Sequence, residues 1–327
     1  MATVFDFPLP KLREYRPALT RRPDFGTFWA ETLREAAEPL EAEVRPVEYP
    51  VPEVQVFDVR YDGFRGARIG AWYVLPQREA MRSPLPGLVF YHGYSGSRSD
   101  VFSYLPWVLQ GYAVFAVDVR GQSGVSTDPG AYSMGHVRGW MTKGILDERE
   151  YYYRGVYVDC VRAIDVLCAQ PEVDAERIGV TGGSQGGGLT LAVAGLDRRP
   201  AVAMADVPFL CHFERPLEIS DAYPYREIAD FLRRYPGTDE RVFRTLSYFD
   251  GMNLAASIVC PTLVTVGLED TVCPPSTVFA AYNWIDAPKS IDVFRYYAHE
   301  VPGTHSVTKL GWANYYLRGL GSRPVGG

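Results

Sequence analysis

Cysteine is scarce and odd in number: five in 327 residues, widely scattered, with no Cys-x-x-Cys pair. That excludes a disulfide framework and a cysteine-based structural metal site. Cys160 and Cys168 lie on a helix-like stretch and read as small core residues. His/Asp clusters at ligand spacing are missing too, so a metal-dependent reaction has no support and no metal or cofactor is expected. No apolar run approaches the length of a membrane span. The opening residues, Met1-Ala2-Thr3-Val4-Phe5-Asp6, lack the basic-then-apolar order of a secretory signal. Positive charge is not in excess: 33 Lys and Arg face 39 Asp and Glu, a formal net charge of −6 without a basic stripe. Nucleic acid and membrane are therefore not expected partners. Internal repeats and low-complexity tracts are absent as well. Together these absences point to the cytoplasm and to an ordinary globular core, for which a 47% hydrophobic fraction is ample.

What is present is organised around Arg177 to Gly188 (Arg-Ile-Gly-Val-Thr-Gly-Gly-Ser-Gln-Gly-Gly-Gly), which runs into the apolar stretch Leu189 to Ala194. A β-type segment enters glycines, presents Ser184, and continues into a helix-type segment. This is the context of a nucleophile elbow, with the motif Gly182-x-Ser184-x-Gly186. The serine of such a turn sits at a strained backbone position, and glycines on either side avoid collision with the chain. The helix that starts after it directs free N–H groups and the positive end of its dipole at charge developing there.

Around the elbow the pattern is α/β. Residues 1–43 read as an N-terminal arm whose helix, with Asp24 as cap, carries Phe28, Trp29, Leu33 and Ala36 at helical spacing. Val51 to Leu75 alternates about the turn Asp62-Gly63-Phe64-Arg65-Gly66, a hairpin. Apolar strands follow at Leu85–Tyr91, Tyr112–Val117 and Ala201–Ala205, separated by crossover helices, which implies a mostly parallel sheet covered on both faces. Asp118 to Asp147 is a long connection of the kind that serves a site or an assembly contact. Residues 207–256 are aromatic and charged, and read as a helical insertion placed where a lid belongs, after the sixth strand counted this way. The last strands are Pro261–Gly267 and Ile291–Tyr296, and a final helix spans about His305 to Arg318. The whole reads as one domain over 1–327.

Chain order then selects partners for Ser184. An acid and a histidine should follow on loops just past the carboxyl ends of strands. Asp270 lies three residues past Gly267, and His299 three past Tyr296. Glu269 should point the opposite way by alternation. His305 reads as a capping or surface histidine; His92, His136 and His212 have ordinary structural readings. In the roles this implies, His299 takes the Ser184 proton and Asp270 holds the imidazole. Oxyanion donors are expected at the backbone N–H of Gln185, which follows the nucleophile, and of Tyr94, in His92-Gly93-Tyr94-Ser95-Gly96 after a strand.

Several stretches together resemble the acetyl xylan esterase / cephalosporin-C deacetylase family, carbohydrate esterase family seven. They are Tyr91-His92-Gly93-Tyr94, Arg120-Gly121-Gln122, Gly144-Ile145-Leu146-Asp147, the elbow, Asp206 to Phe213, Phe243 to Gly251, Cys273 to Asn283, and His299-Glu300. The resemblance implies an α/β-hydrolase fold and a serine esterase that deacetylates small substrates such as xylo-oligosaccharides and cephalosporin C. Ser184, Asp270 and His299 would be catalytic, with Tyr94 and Gln185 at the oxyanion hole. It further implies a ring-like homohexamer, a dimer of trimers. By the same analogy Phe209, Pro224 and Val272 would wall the acyl pocket. Arg120 and Gln122 read as structural, the arginine held by Asp118 or Glu300. One departure stands out: Val301-Pro302 follows His299-Glu300 where the family continues with glycines. Another hydrolase of the same fold, of peptidase or lactonase type, and a non-catalytic binding protein stay open as alternatives.

Overall fold

The structure, a computed structural model, describes residues 5–37, 40–77, 84–135 and 137–322. Among these residues nine strands form one sheet: β1 Ala42–Val47, β2 Val54–Asp62, β3 Arg68–Pro76, β4 Leu85–Tyr91, β5 Ala113–Val117, β6 Val173–Gly183, β7 Pro200–Asp206, β8 Thr262–Gly267 and β9 Lys289–Phe294. Their order is β1-β2-β3-β5-β4-β6-β7-β8-β9. The first three strands are antiparallel, as is the contact of β3 with β5; from β5 onward every pairing is parallel. β5 and β8 are buried at every position, the composition required of strands covered on both faces. β2 alternates buried and partly buried residues, as a flank strand does.

Helices cover both faces. The short helix Leu105–Val108 packs on one face with Val56, Val74, Val114 and Ala116. The last helix, His305–Arg318, lies on the same side through Trp312, Ala313 and Leu317 against Leu88, Val202 and Met204. The opposite face receives the helices Tyr152–Cys168 and Gln185–Leu196 and most of the core. The chain leaves β4 to one side, for β5, and later enters β6 on the other side. This reversal opens a crevice at the carboxyl ends of β4 and β6, where ligands bind in sheets of this kind. The register pairs Tyr91 with Gly182, so the loops after these two strands start level with each other.

The insertion follows the seventh strand rather than the sixth, because the sheet has an edge strand, β1, that the hydrophobic pattern does not signal. Every residue of β1 is exposed and Pro46 lies within it, so neither alternation nor propensity marks it. The insertion contains the helices Glu214–Ile219, Arg226–Arg234, Asp239–Phe249 and Gly251–Ala255. The helix Phe25–Glu35 of the arm buries Phe28 and Trp29 against Tyr248 and Phe249 of that insertion, and the Trp29 indole N–H donates to the Tyr248 carbonyl at 2.9 Å. Asp24 does not cap this helix with its side chain; it accepts the Tyr248 hydroxyl at 2.6 Å instead. All five cysteines are free thiols. Among the described residues no helix is long and apolar enough to cross a membrane.

Candidate active site

β6 delivers Ser184 into a left-handed conformation, φ 57° and ψ −119°, before the helix Gln185–Leu196 begins. Such a conformation is costly for a residue with a side chain and persists only where the surroundings impose it. Here the Ser184 N–H donates to the Asp206 carbonyl at 2.9 Å, while the Ser184 carbonyl accepts from Gly188 at 3.0 Å and from Phe209 at 2.9 Å. Gly186 lies so close to the strand β4 that any Cβ would run into the Tyr91 carbonyl. The elbow is thus sewn to β7 and pressed against β4.

The other two side chains come from neighbouring loops. Past β8, Gly267 backs directly onto the carbonyls of Tyr297 and Ala298, where a side chain would not fit. Glu269 N–H donates to the Tyr297 carbonyl at 3.0 Å and Leu268 N–H to the Phe294 carbonyl at 3.0 Å. This backbone stitching brings Asp270 and His299 together. The Nδ1–H of His299 donates to Asp270 Oδ2 at 2.7 Å, and the Ser184 hydroxyl donates to His299 Nε2 at 2.8 Å. Asp270 is fully buried, and its other oxygen accepts the N–H groups of Val272 and Cys273 at 2.8 Å each. A carboxylate so held is fixed in orientation by its neighbours. Glu269 is exposed and points elsewhere. Asp270 and His299, with the Cys273 thiol, also place donor atoms within 4.8 Å of one another, but both Asp270 oxygens already accept hydrogen bonds from the protein.

The first bond of the elbow helix runs from Gly188 to Ser184, which leaves the Gln185 N–H outside the ladder at the positive end of the helix. Tyr94 stands across the crevice on the loop after β4. Beneath both lies a buried network. Gln122 Oε1 accepts the Ser95 N–H at 2.9 Å, and Gln122 Nε2 donates to Gln185 Oε1 at 2.9 Å. The Tyr153 hydroxyl also donates to Gln185 Oε1, at 2.9 Å. One glutamine therefore ties the two halves of the crevice together. His92 takes part too: its Nε2 accepts the Val119 N–H at 2.9 Å and its Nδ1–H donates to the Gly93 carbonyl at 2.7 Å.

Several expectations need correction. Arg120 is not held by Asp118 or Glu300. It makes a bidentate pair with Asp159 of the helix Tyr152–Cys168, 2.6 and 2.7 Å, and donates to the Phe64 carbonyl. Asp118 instead accepts the Arg98 and Val125 N–H groups, and Glu300 is exposed. His305 is neither a cap nor a surface residue: it is buried, with Nε2 3.0 Å from Asp206 and Nδ1 3.3 Å from Asp292. His212 is half-buried and meets the Tyr15 hydroxyl at 3.0 Å; burial, and then Arg215, lower it to about 4. His136 lies outside the described residues. After Glu300, the Pro302 carbonyl accepts the His305 N–H at 2.9 Å, so the non-glycine stretch opens the last helix. Phe209 is wholly buried between the rings of Tyr94 and Tyr225, Pro224 is buried, and Val272 is half-buried beside Asp270.

Chain-order reasoning missed Glu227. It lies on the apolar stripe of the helix Arg226–Arg234 with Ile228 and Phe231, and an acid on such a stripe is the signal that marks it. Burial pushes its carboxyl up to about 7, against the hydrogen bonds it accepts from Met141 and Tyr94 and against Arg138.

A parallel sheet with a strained serine at its switch point, bonded to a histidine and through it to an aspartate, defines an α/β-hydrolase. The family model for acetyl xylan esterases matches residues 1–316, and the chain belongs to that family. The acetyl esterase Axe7A of Xylanibacter ruminicola is 29% identical over 306 residues, covering 90% of this chain and 67% of that protein. The acetyl xylan esterase from Paenibacillus sp. R4 is 48% identical with a TM-score of 0.93, over 95% of this chain and 100% of that one. Acetyl xylan esterase 1 from Thermoanaerobacterium sp. is 36% identical with a TM-score of 0.90, over 95% and 99%.

Proposed function

We propose that this chain is a serine esterase that removes acetyl groups from small acetylated substrates, short xylo-oligosaccharides and cephalosporin C among them. The observation that carries the reading is the imidazole of His299, 2.8 Å from the Ser184 hydroxyl on one side and 2.7 Å from Asp270 on the other. Family membership supports the acetyl ester as substrate class.

In this mechanism Ser184 Oγ attacks the acetyl carbonyl carbon as its proton passes to His299 Nε2. Asp270 keeps the imidazole in the tautomer that accepts at Nε2 and stabilises the imidazolium that forms. The oxyanion is met by the backbone N–H groups of Gln185 and Tyr94, each worth about 3 kcal/mol in comparable sites. His299 then returns the proton to the departing sugar alkoxide. Water, activated by the same imidazole, releases acetate and restores Ser184. Phe209, Pro224 and Val272 wall the acyl side, and residues 207–256 act as a lid on one domain with the arm 1–43. The working form is a cytoplasmic homohexamer, a dimer of trimers, which light scattering of the purified protein checks.

The test is a substrate panel of p-nitrophenyl acetate, acetylated xylo-oligosaccharide, cephalosporin C, a longer acyl ester and a peptide. Acetyl esters should be preferred, a fluorophosphonate should label one serine, and Ser184→Ala should lose labelling and at least about 10⁴-fold in kcat with an unchanged fold. Preference for the peptide, or turnover by Ser184→Ala, overturns the proposal.

A further inference from the structure

The chemistry above leaves one buried carboxylate of the crevice without a task. Glu227 enters from the insertion and is 4% exposed. Both of its oxygens lie 2.9 Å from the Tyr94 hydroxyl, and Oε2 also accepts the Met141 N–H at 3.0 Å. The Tyr94 hydroxyl in turn accepts the Trp140 N–H at 2.6 Å. Gly139, at φ 93°, backs onto the carboxylate so closely that a side chain there would overlap it. One carboxylate thus joins three separate segments: the insertion, the loop after β4 and the connection after β5.

We propose that Glu227 is a positioning residue for the oxyanion hole: by gripping the Tyr94 hydroxyl it fixes the backbone turn that aims the Tyr94 N–H at the reacting carbonyl. This rests on the role given to Tyr94 under the proposed function. The turn is held from two directions. On the backbone side, Gln122 accepts the Ser95 N–H and His92 grips Val119 and its own neighbour Gly93. On the side-chain side, the Tyr94 ring is a rigid strut packed edge-on between Trp140 and Phe209, and its far end is anchored through Glu227 and Trp140. Displacing a strut of this length shifts the N–H at its base. A shift of an ångström in a catalytic donor costs up to about 10²-fold in rate.

The carboxylate is the right group because two donors converge on it. A carboxylate accepts only, so it satisfies the Tyr94 O–H and the Met141 N–H together. An amide must turn its NH2 toward one of them, and the lone pair it would need on the Tyr94 oxygen is already engaged by Trp140. Protonation has a similar effect, because the acid acquires a donor where two donors already point. The charged and titratable groups that face this carboxylate are Arg138, Asp230, Tyr94 and Tyr151. Arg138 favours its ionisation and Asp230 opposes it, while burial dominates.

The experiment measures kcat, KM and the pH profile for p-nitrophenyl acetate in the wild type, Glu227→Gln, Tyr94→Phe and the double variant. Glu227→Gln should lower kcat about 10- to 100-fold with KM within twofold, the pattern of an interaction made in the transition state. Tyr94→Phe keeps the backbone N–H but removes the grip, so it should show the same loss, and the double variant no further loss. Beside the acid limb that a histidine base gives both enzymes, the wild-type kcat should carry a second fall as pH drops through about 7, the value to which burial raises this carboxyl, and Glu227→Gln should lack that second fall. Additive losses in the double variant overturn the inference, and so does wild-type kcat in Tyr94→Phe, a result that stands even if Glu227→Gln does not fold. A wild type inactive on acetyl esters would sink the esterase reading itself; an active wild type with an indifferent Glu227→Gln sinks this one alone.

Discussion

His299 and His305 stand at the two ends of one short stretch, and each faces an aspartate, yet their surroundings differ in kind. The His299 side chain is 25% exposed, with a carboxylate on one nitrogen and the Ser184 hydroxyl on the other. The His305 side chain is 1% exposed, with Asp206 on one nitrogen, Asp292 on the other, and Lys309 2.6 Å from Asp206. Burial would lower the pKa of His305, but Asp206 bonded to Nε2 and Asp292 close to Nδ1 outweigh it and raise it. A ring between two carboxylates holds its proton; a ring between a carboxylate and a hydroxyl is placed to receive one. The same residue types therefore make a structural ion cluster in one place and, in the proposed mechanism, a proton carrier in the other, and the group on the second nitrogen separates the two.

The largest expected effect breaks the pair that faces Ser184. Asp270→Asn keeps an acceptor for the Val272 and Cys273 N–H groups but can present its NH2 to His299, which then holds its proton on Nε2, the wrong nitrogen. The kcat for p-nitrophenyl acetate should fall about 10⁴-fold while the circular dichroism melt stays close to that of the wild type. A loss below tenfold would mean that the carboxylate does not set the tautomer.

The same treatment of the second pair should do the reverse. His305→Asn removes the cation between Asp206 and Asp292 and leaves Lys309 alone to balance them. Breaking a buried ionic group costs about 3 kcal/mol, read by urea denaturation. Because the Asp206 carbonyl still holds the Ser184 N–H, kcat should fall less than tenfold. A variant as stable as the wild type but inactive would place His305 in the chemistry and erase the contrast.

This contrast also separates what the sequence reveals from what it hides. Ser184, Asp270 and His299 are neighbours in space, and chain order selects them because each lies on a loop that follows a strand the hydrophobic pattern signals. The elbow is legible because its Gly-x-Ser-x-Gly spacing is carried by one strand–turn–helix unit, although the backbone that Gly182 and Gly186 must clear, at Tyr91 of β4, is remote in sequence. Partners brought together by helix packing carry no such mark. Asp159 reaches Arg120 only because the helix Tyr152–Cys168 lies across the sheet there. Lys309 shares a helix with His305 and Asp292 lies on the strand before it, but Asp206 is 99 residues away, so His305 looks like a surface residue until the fold closes around it. β1 is hidden for the opposite reason: it buries nothing, and only its ladder with β2 makes it a strand.

The smallest expected effect sharpens the electrostatic half of the comparison. The pKa of His305 is raised above its ordinary 6.5, so the stability it contributes is complete below that value and is lost as pH rises through the folded-state value. Asp206 is lowered below 3.8, because Lys309 and His305 outweigh its burial; its contribution is complete above 3.8 and is lost only in stronger acid. The cluster is therefore at full strength between about pH 4 and 6.5 and weakens on the alkaline side, by about 1.4 kcal/mol for each unit separating the folded and unfolded values. Urea midpoints of the wild type and His305→Asn between pH 5.5 and 9.5 read this directly, since titrations common to both cancel in the difference. The stability gap should narrow as pH rises. A gap that is constant throughout would mean that the ring is not charged between its two aspartates, and the distinction from His299 would then rest on the missing hydroxyl alone.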